Sequence, residues 1–198
     1  MQQRMPQRTH AKGGLALNIW IEGVDGTGKT TLAKALGEAL GVKPLYNVAH
    51  NELTEGQELN VIDRHAVISN RVYKEALPER FKNAPLRKGA LEYGCLDFFI
   101  LLRREPVRIE SWEEYTHREL NKLTLAYDKF FHKNPVNLIT ITQDDSTIRI
   151  SDELSDPTFT RTITLALRGA HRSAEVALKV REILKIIMEA SKTRVANQ

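Results

Sequence analysis

The chain has 198 residues, with 41% hydrophobic and 27% charged side chains, which is ordinary globular composition and excludes a disordered or collagen-like chain. Its length suffices to bury a sizeable core without disulfides or a structural metal, and its one cysteine, Cys95, agrees with a reducing compartment. The 29 basic residues against 25 acidic give a net charge of +4, but Arg4, Arg8 and Lys12 carry three of those charges in a segment without acids. The rest of the chain is nearly neutral, which weakens a nucleic-acid reading.

Residues 1–14 have no apolar stretch behind their basic residues, so they make a poor secretory signal and are expected to be a basic disordered tail or an appended segment. The longest apolar run, Phe98 to Leu102, is far short of the ~20 residues that a membrane helix needs. Leu15 to Glu22 reads as a strand buried on both faces, ending at Gly23. Lys29 to Leu40 places Leu32, Ala33, Leu36, Ala39 and Leu40 at helical spacing, with Gly41 as the stop. Further strands are expected at Pro44 to Val48, Leu59 to Ile62, Leu96 to Leu102 and Val136 to Thr142, with a helical stretch carrying Val67, Val72 and Tyr73. A long helix at 112–131 is expected, opened by a Ser111–Glu114 capping box and burying Leu120, Leu123, Tyr127 and Phe130. Residues 157–168 read two ways: Asp156–Pro157 suits a helix start, while Ile163, Leu165 and Leu167 alternate like a strand. A last helix is placed at Ser173 to Ala190. Strand alternating with helix gives an α/β fold with a parallel sheet of about five strands flanked by helices, taken as a single domain over 15–198.

Gly23-Val24-Asp25-Gly26-Thr27-Gly28-Lys29-Thr30 fits G-x-x-x-x-G-K-[ST] between the first strand and first helix. A chain of this length matches that pattern by accident on the order of one time in a hundred, and the strand-loop-helix context lowers this further. The backbone N–H groups of such a loop face phosphate oxygens, the following helix adds its positive end, and Lys29 reaches the β- and γ-phosphates. The Thr30 hydroxyl is a magnesium ligand in this pattern, and Thr31 closes the loop. The run Asn60-Val61-Ile62-Asp63-Arg64-His65 ends a strand at the same edge of a parallel sheet. Asp63 there can hold Mg²⁺ or its water, and Arg64 can grip a phosphate bidentately. His65 is assigned a structural or orienting role, because phosphoryl transfer needs little acid-base help.

The segments IEGVDGTGKTTLAKAL and VIDRHAVISNRVY together resemble the thymidylate kinase branch of the P-loop nucleotide kinases, in particular its compact phage-encoded members. The resemblance is strong over 17–40 and 59–77 and weak elsewhere. It implies a three-layer kinase fold, ATP and Mg²⁺ as cofactors, and conversion of dTMP and ATP to dTDP and ADP in a cytoplasm, the host's if the chain is phage-encoded. It implies Asp25 at the acceptor sugar or orienting Arg64, Arg64 on the acceptor phosphate, Ser69 and Tyr73 at the acceptor site, and Asp63 serving the metal. Phe81, in the basic stretch 78–94, is the candidate for stacking on the base. A lid is expected near 103–111, with Arg103, Arg104 and Arg108 as candidates to steady the transferring phosphoryl group. Gln143-Asp144-Asp145 falls where related kinases place a loop beside the adenine. A small-molecule acceptor, and at most a second copy of the chain, are the partners expected.

The sequence also departs from that branch. Only one helix and one short strand fit between Lys29 and Asp63, with no R-E-P-G-G-like stretch, and Gly26 stands where some members carry an arginine. Ser69 and Tyr73 lie one residue further from Asp63-Arg64 than in cellular members. A deoxynucleoside kinase is therefore the second reading, and a regulatory P-loop protein binding nucleotide or nucleic acid the third.

Overall fold

The computed structural model describes residues 16–54, 56–87, 91, 93–94, 96–104, 115–144, 146–153, 161–166 and 172–195. The tail over 1–14, Ser111 to Glu114, most of the expected lid and Asp156–Pro157 lie outside them. The strands are β1 (Leu17–Gly23), β2 (Leu45–Val48), β3 (Leu59–His65), β4 (Asp97–Arg104), β5 (Asn137–Gln143), β6 (Thr147–Glu153) and β7 (Arg161–Ala166). The helices are α1 (Lys29–Leu40), α2 (Ala66–Ala76), α3 (His117–Lys133) and α4 (Arg172–Val195).

All seven strands join one sheet in the order β2-β3-β1-β4-β5-β6-β7. The first five are parallel, as expected. The sheet then continues beyond expectation through β6 and β7, both antiparallel. The alternation at Ile163 and Leu165 is thus a strand rather than a helix. β5 and β6 are joined by a tight turn, which only an antiparallel pair permits.

Helices cover both faces, and the chain supplies each with apolar side chains by strand alternation. Ile19 and Ile21 of β1, with Phe98, Ile100 and Leu102 of β4, face α1 and α4 in one buried cluster. Trp20, Phe99 and Leu101 face α2 and α3 in the other. This alternation places Glu22 on the α2/α3 face, where it is fully buried.

Helix α1 begins at Gly28 and stops at Gly41, whose positive φ lets its N–H turn back to Glu38 O. Helix α3 starts later than the expected 112. Its cap is Thr116, whose hydroxyl accepts from Glu119 N while Glu119 reaches back to Thr116 N, a capping box one turn beyond the Ser111–Glu114 pair. It buries Phe131 rather than Phe130, together with Leu120, Leu123, Ala126 and Tyr127. Among the described residues, no helix is long and apolar enough to cross a membrane.

Candidate active site

The C-terminal ends of β1, β3 and β4 meet at one edge of the sheet, where loops of a parallel sheet gather functional side chains. Gly23 ends β1 with φ +136°, and a Cβ there would stand 2.4 Å from Leu102 O of β4, so only glycine lets the loop leave the sheet at this point. The loop then closes on one carbonyl. Val24 O accepts from Thr27 N (3.4 Å), from Thr27 Oγ1 (2.8 Å) and from Lys29 Nζ (2.6 Å). Lys29 is 5% exposed and also lies 3.8 Å from Asp25 Oδ1. Burial pulls its ammonium down to about 8, against the attraction of the Glu22 and Asp63 carboxylates.

Thr30, in the first turn of α1, donates from Oγ1 to Asp63 Oδ2 at 2.5 Å. Asp63 comes from the end of β3, is 3% exposed, and has its second oxygen, Oδ1, buried with no hydrogen-bond partner among the described residues. A buried carboxylate oxygen without a donor is costly unless a cation or water completes it. A hydroxyl and a carboxylate in contact are also the hard oxygen donors that magnesium prefers. The two residues named from sequence for the metal therefore stand together and fit it.

The acceptor candidates converge as well. Arg64 forms an ion pair with Asp25 through Nη2. Tyr73 donates its hydroxyl to Asp25 Oδ2 at 2.8 Å and accepts from Arg64 Nη1 at 3.4 Å. The guanidinium carbon stands 5.7 Å from the Tyr73 ring centroid. Burial pushes the Tyr73 phenol up to about 12 despite the pull of Arg64, so it stays a donor at neutral pH. Phe81 meets the Tyr73 ring edge-on at 5.6 Å, as does Tyr115 at 6.2 Å, and Arg80 lies 4.2 Å over Tyr115. Neither Tyr115 nor Arg80 was singled out from sequence; nothing in their spacing marks them.

Ser69 is placed differently from the expectation of a substrate contact. It is 7% exposed, and its hydroxyl donates to Glu22 Oε2 at 3.0 Å and lies 3.2 Å from Tyr127 OH. Tyr127 donates to the same oxygen at 3.0 Å, and His65 N donates to Glu22 Oε1 at 2.6 Å. Burial raises the Glu22 carboxyl above its usual range, with those donors and Arg64 opposing. His65 itself caps α2, its Nδ1 accepting from Val67 N at 3.2 Å and Ile68 N at 3.4 Å, which is a structural role.

Beside the loop lies a cleft of about 420 Å³, lined by Gly26, Thr27, Gly28 and Thr31 on one side and by Arg103, Gln143, Asp144 and Lys179 on the other. Asp144 accepts from Ser146 N and Thr147 N and from both hydroxyls, which holds its carboxyl well below the usual range and fixes the β5–β6 turn. Of the three arginines named for the lid, Arg103 borders the cleft and pairs with Asp128 of α3. Arg104 ends β4, its side chain outside the described atoms, and Arg108 lies outside the described residues.

No protein-family model matches the chain, and no curated protein does. Among solved structures, the YorR protein of Bacillus subtilis in complex with phosphorylated GDP superposes at a TM-score of 0.44 and 18% identity, over 64% of this chain and 85% of that one. A deoxyadenosine kinase from M. mycoides, with dCMP and dCDP bound, gives 0.39 and 13%, over 64% and 90%. At such scores the site has to be read from its own residues.

Proposed function

We propose that the chain is an ATP-dependent nucleoside monophosphate kinase whose preferred acceptor is dTMP. The observation that carries this reading is the Asp25–Arg64–Tyr73 group set against the phosphate loop, because a half-buried guanidinium oriented by a carboxylate and a phenol suits an acceptor that already bears a phosphate. ATP then lies in the cleft beside the loop, its phosphates on the Gly26 to Thr30 backbone and its base towards the β5–β6 turn. Lys29 leaves Val24 O for the β- and γ-oxygens, where its charge counts most as the phosphoryl group moves. Thr30 and Asp63 would hold a magnesium ion, whose contribution there would be to neutralise phosphate charge. Arg64 grips the acceptor phosphate, one of whose oxygens attacks the γ-phosphorus as the bond to ADP breaks. Asp25 keeps Arg64 in place and is within reach of the acceptor sugar, with Phe81 and Tyr73 bordering the base. Arg103, a lid candidate, borders the cleft that takes the phosphates.

The test is a panel of nucleoside monophosphates and nucleosides supplied with ATP and Mg²⁺, products resolved by anion exchange. A monophosphate converted to its diphosphate with one ADP per turnover is the expected result, dTMP leading. Phosphorylation of nucleosides alone replaces this reading with a deoxynucleoside kinase. No transfer at all, together with nucleic-acid binding that weakens steeply with salt, replaces it with the regulatory reading.

A further inference from the structure

Among the described residues, two that are not glycine have positive φ: Asn47 at 53° and Arg64 at 76°. Asparagine tolerates the left-handed region through its own side chain, whereas arginine gains nothing there and must be held by its surroundings. The peptide that follows Arg64 is held from two directions. His65 N donates to Glu22 Oε1 at 2.6 Å, and the His65 ring is tied to the start of α2 through Val67 N and Ile68 N. Glu22 is in turn fixed through its other oxygen by Ser69 of α2 and Tyr127 of α3. The carboxylate thus joins the end of β1 to the end of β3 and to both helices on that face.

We propose that Glu22 is the positioning residue of the acceptor site: by anchoring the 64–65 peptide it keeps Arg64 in the left-handed turn that aims its guanidinium at the acceptor phosphate. This rests on the function proposed above. It differs from a merely structural role for a buried carboxylate, because it acts on one substrate and through one hydrogen bond. The donor lysine sits on α1 and the loop, whose conformation is set by Gly23, Gly28 and Val24 O rather than by the 64–65 peptide. Loosening the anchor therefore disturbs the acceptor, whereas ATP feels Glu22 only through its charge on Lys29, which Glu22→Asp keeps.

Three variants separate these cases. Glu22→Gln keeps an oxygen for His65 N, and its amide N–H can donate to the two hydroxyls. Glu22→Asp keeps the charge but draws the carboxylate back from His65 N by one methylene. Glu22→Ala removes both. The expected result is an acceptor KM raised at least about tenfold in the Asp and Ala variants, rescue of the acceptor KM by Gln, and, in the Asp variant, which keeps the charge beside Lys29, an ATP KM within about twofold of the wild type. Acceptor and ATP constants that change by the same factor in the Asp variant overturn the proposal, as does a folded Asp or Ala variant with an unchanged acceptor KM. A Gln variant as impaired as Ala also overturns it, since charge and not the anchor would then matter. If the Asp and Ala variants do not fold, amide exchange in the wild-type chain decides. A His65 amide protected like its β3 neighbours supports the anchor, and one that exchanges like an open loop removes it. Absence of transfer by the wild type to any monophosphate removes the proposed function instead, and leaves the anchor itself to the exchange measurement.

Discussion

Acid should weaken this protein through His65 in a pH range where most carboxylates are still ionised. The His65 ring is 0% exposed, packed 4.5 Å from Trp20, and its Nδ1 accepts two backbone N–H groups. Burial, and next the charge of His50, lower its value from 6.5 to about 4, while Asp97 and Glu52 pull the other way. A protonated Nδ1 would face two donors with a third. Because the folded value lies below the unfolded one, the unfolded chain takes up the proton first. The stabilisation is present above pH 6.5 and is lost as the pH falls towards 4. At pH 5 the unfolded histidine is almost fully charged and the folded one almost neutral, which costs about 2 kcal/mol relative to pH 7. For a chain of this size that is roughly 4–8 °C in Tm. His65→Asn keeps an oxygen for the cap and does not titrate in this range. Urea unfolding of both proteins at pH 7 and pH 5 isolates the effect, since other titrating groups, including the raised Glu22 whose sign is opposite, are common to both. The variant should lose about 2 kcal/mol less than the wild type between the two pH values. Equal losses would show that His65 does not resist protonation and that its capping geometry is not what the fold relies on.

Lys29→Ala should lower kcat/KM for ATP by about a thousandfold, measured at saturating acceptor; a variant within tenfold of the wild type would take Lys29 out of the phosphate site. With the Lys29 ammonium near 8 instead of 10.5, the free protein loses this charge over a range where an ordinary lysine keeps it. So kcat/KM for ATP should fall above pH 8, and a profile flat to about pH 10 contradicts the burial argument. Arg64→Ala should reduce kcat/KM for the acceptor by about 10–100-fold while ATP binding by calorimetry stays unchanged, and equal weakening of both substrates counts against its role. Gly23→Ala combines a φ of +136° with a Cβ 2.4 Å from Leu102 O, and should cost about 2–4 kcal/mol in unfolding experiments. An unshifted midpoint would mean that the loop can leave β1 by another path.

The phosphate loop was legible because its chemistry depends on glycines and a lysine at fixed spacing, and because strand and helix patterns flank it on both sides. Asp63 and Arg64 were legible for a related reason: an apolar strand that ends in charges places them at the same sheet edge. The parallel part of the sheet followed from alternating periodicities. What stayed hidden depends on contacts between distant segments. The alternation in β7 suits a strand while Asp156–Pro157 suits a helix start, and pairing with β6 decides between them, just as pairing with β5 defines β6. Tyr127 falls on the apolar stripe of α3, where a phenol looks like packing until its hydroxyl is found on Glu22. Ser69 follows Asp-Arg at an acceptor-like spacing, yet its hydroxyl turns inward to the same carboxylate. The left-handed turn at Arg64 has no sequence signature at all, since arginine does not favour it.

The loop and the acceptor group are linked by one charge. Asp25 stands between Lys29, 3.8 Å from Oδ1, and Arg64, which pairs with the same oxygen, while Tyr73 occupies Oδ2. One carboxylate thus touches two cations in a partly buried setting, and the nearby Glu22 charge attracts both as well. If Lys29 turns to the phosphates of ATP, Asp25 keeps Arg64 as its ion-pair partner, and the guanidinium is held more firmly for the next ligand. A guanidinium has five N–H donors, so Arg64 can keep Asp25 and Tyr73 while offering others to a phosphate. A lysine ammonium offers three N–H donors from one nitrogen and no flat face for bidentate contact with a phosphate. The order this favours is donor first, acceptor second, with Arg64 already aimed when the acceptor arrives.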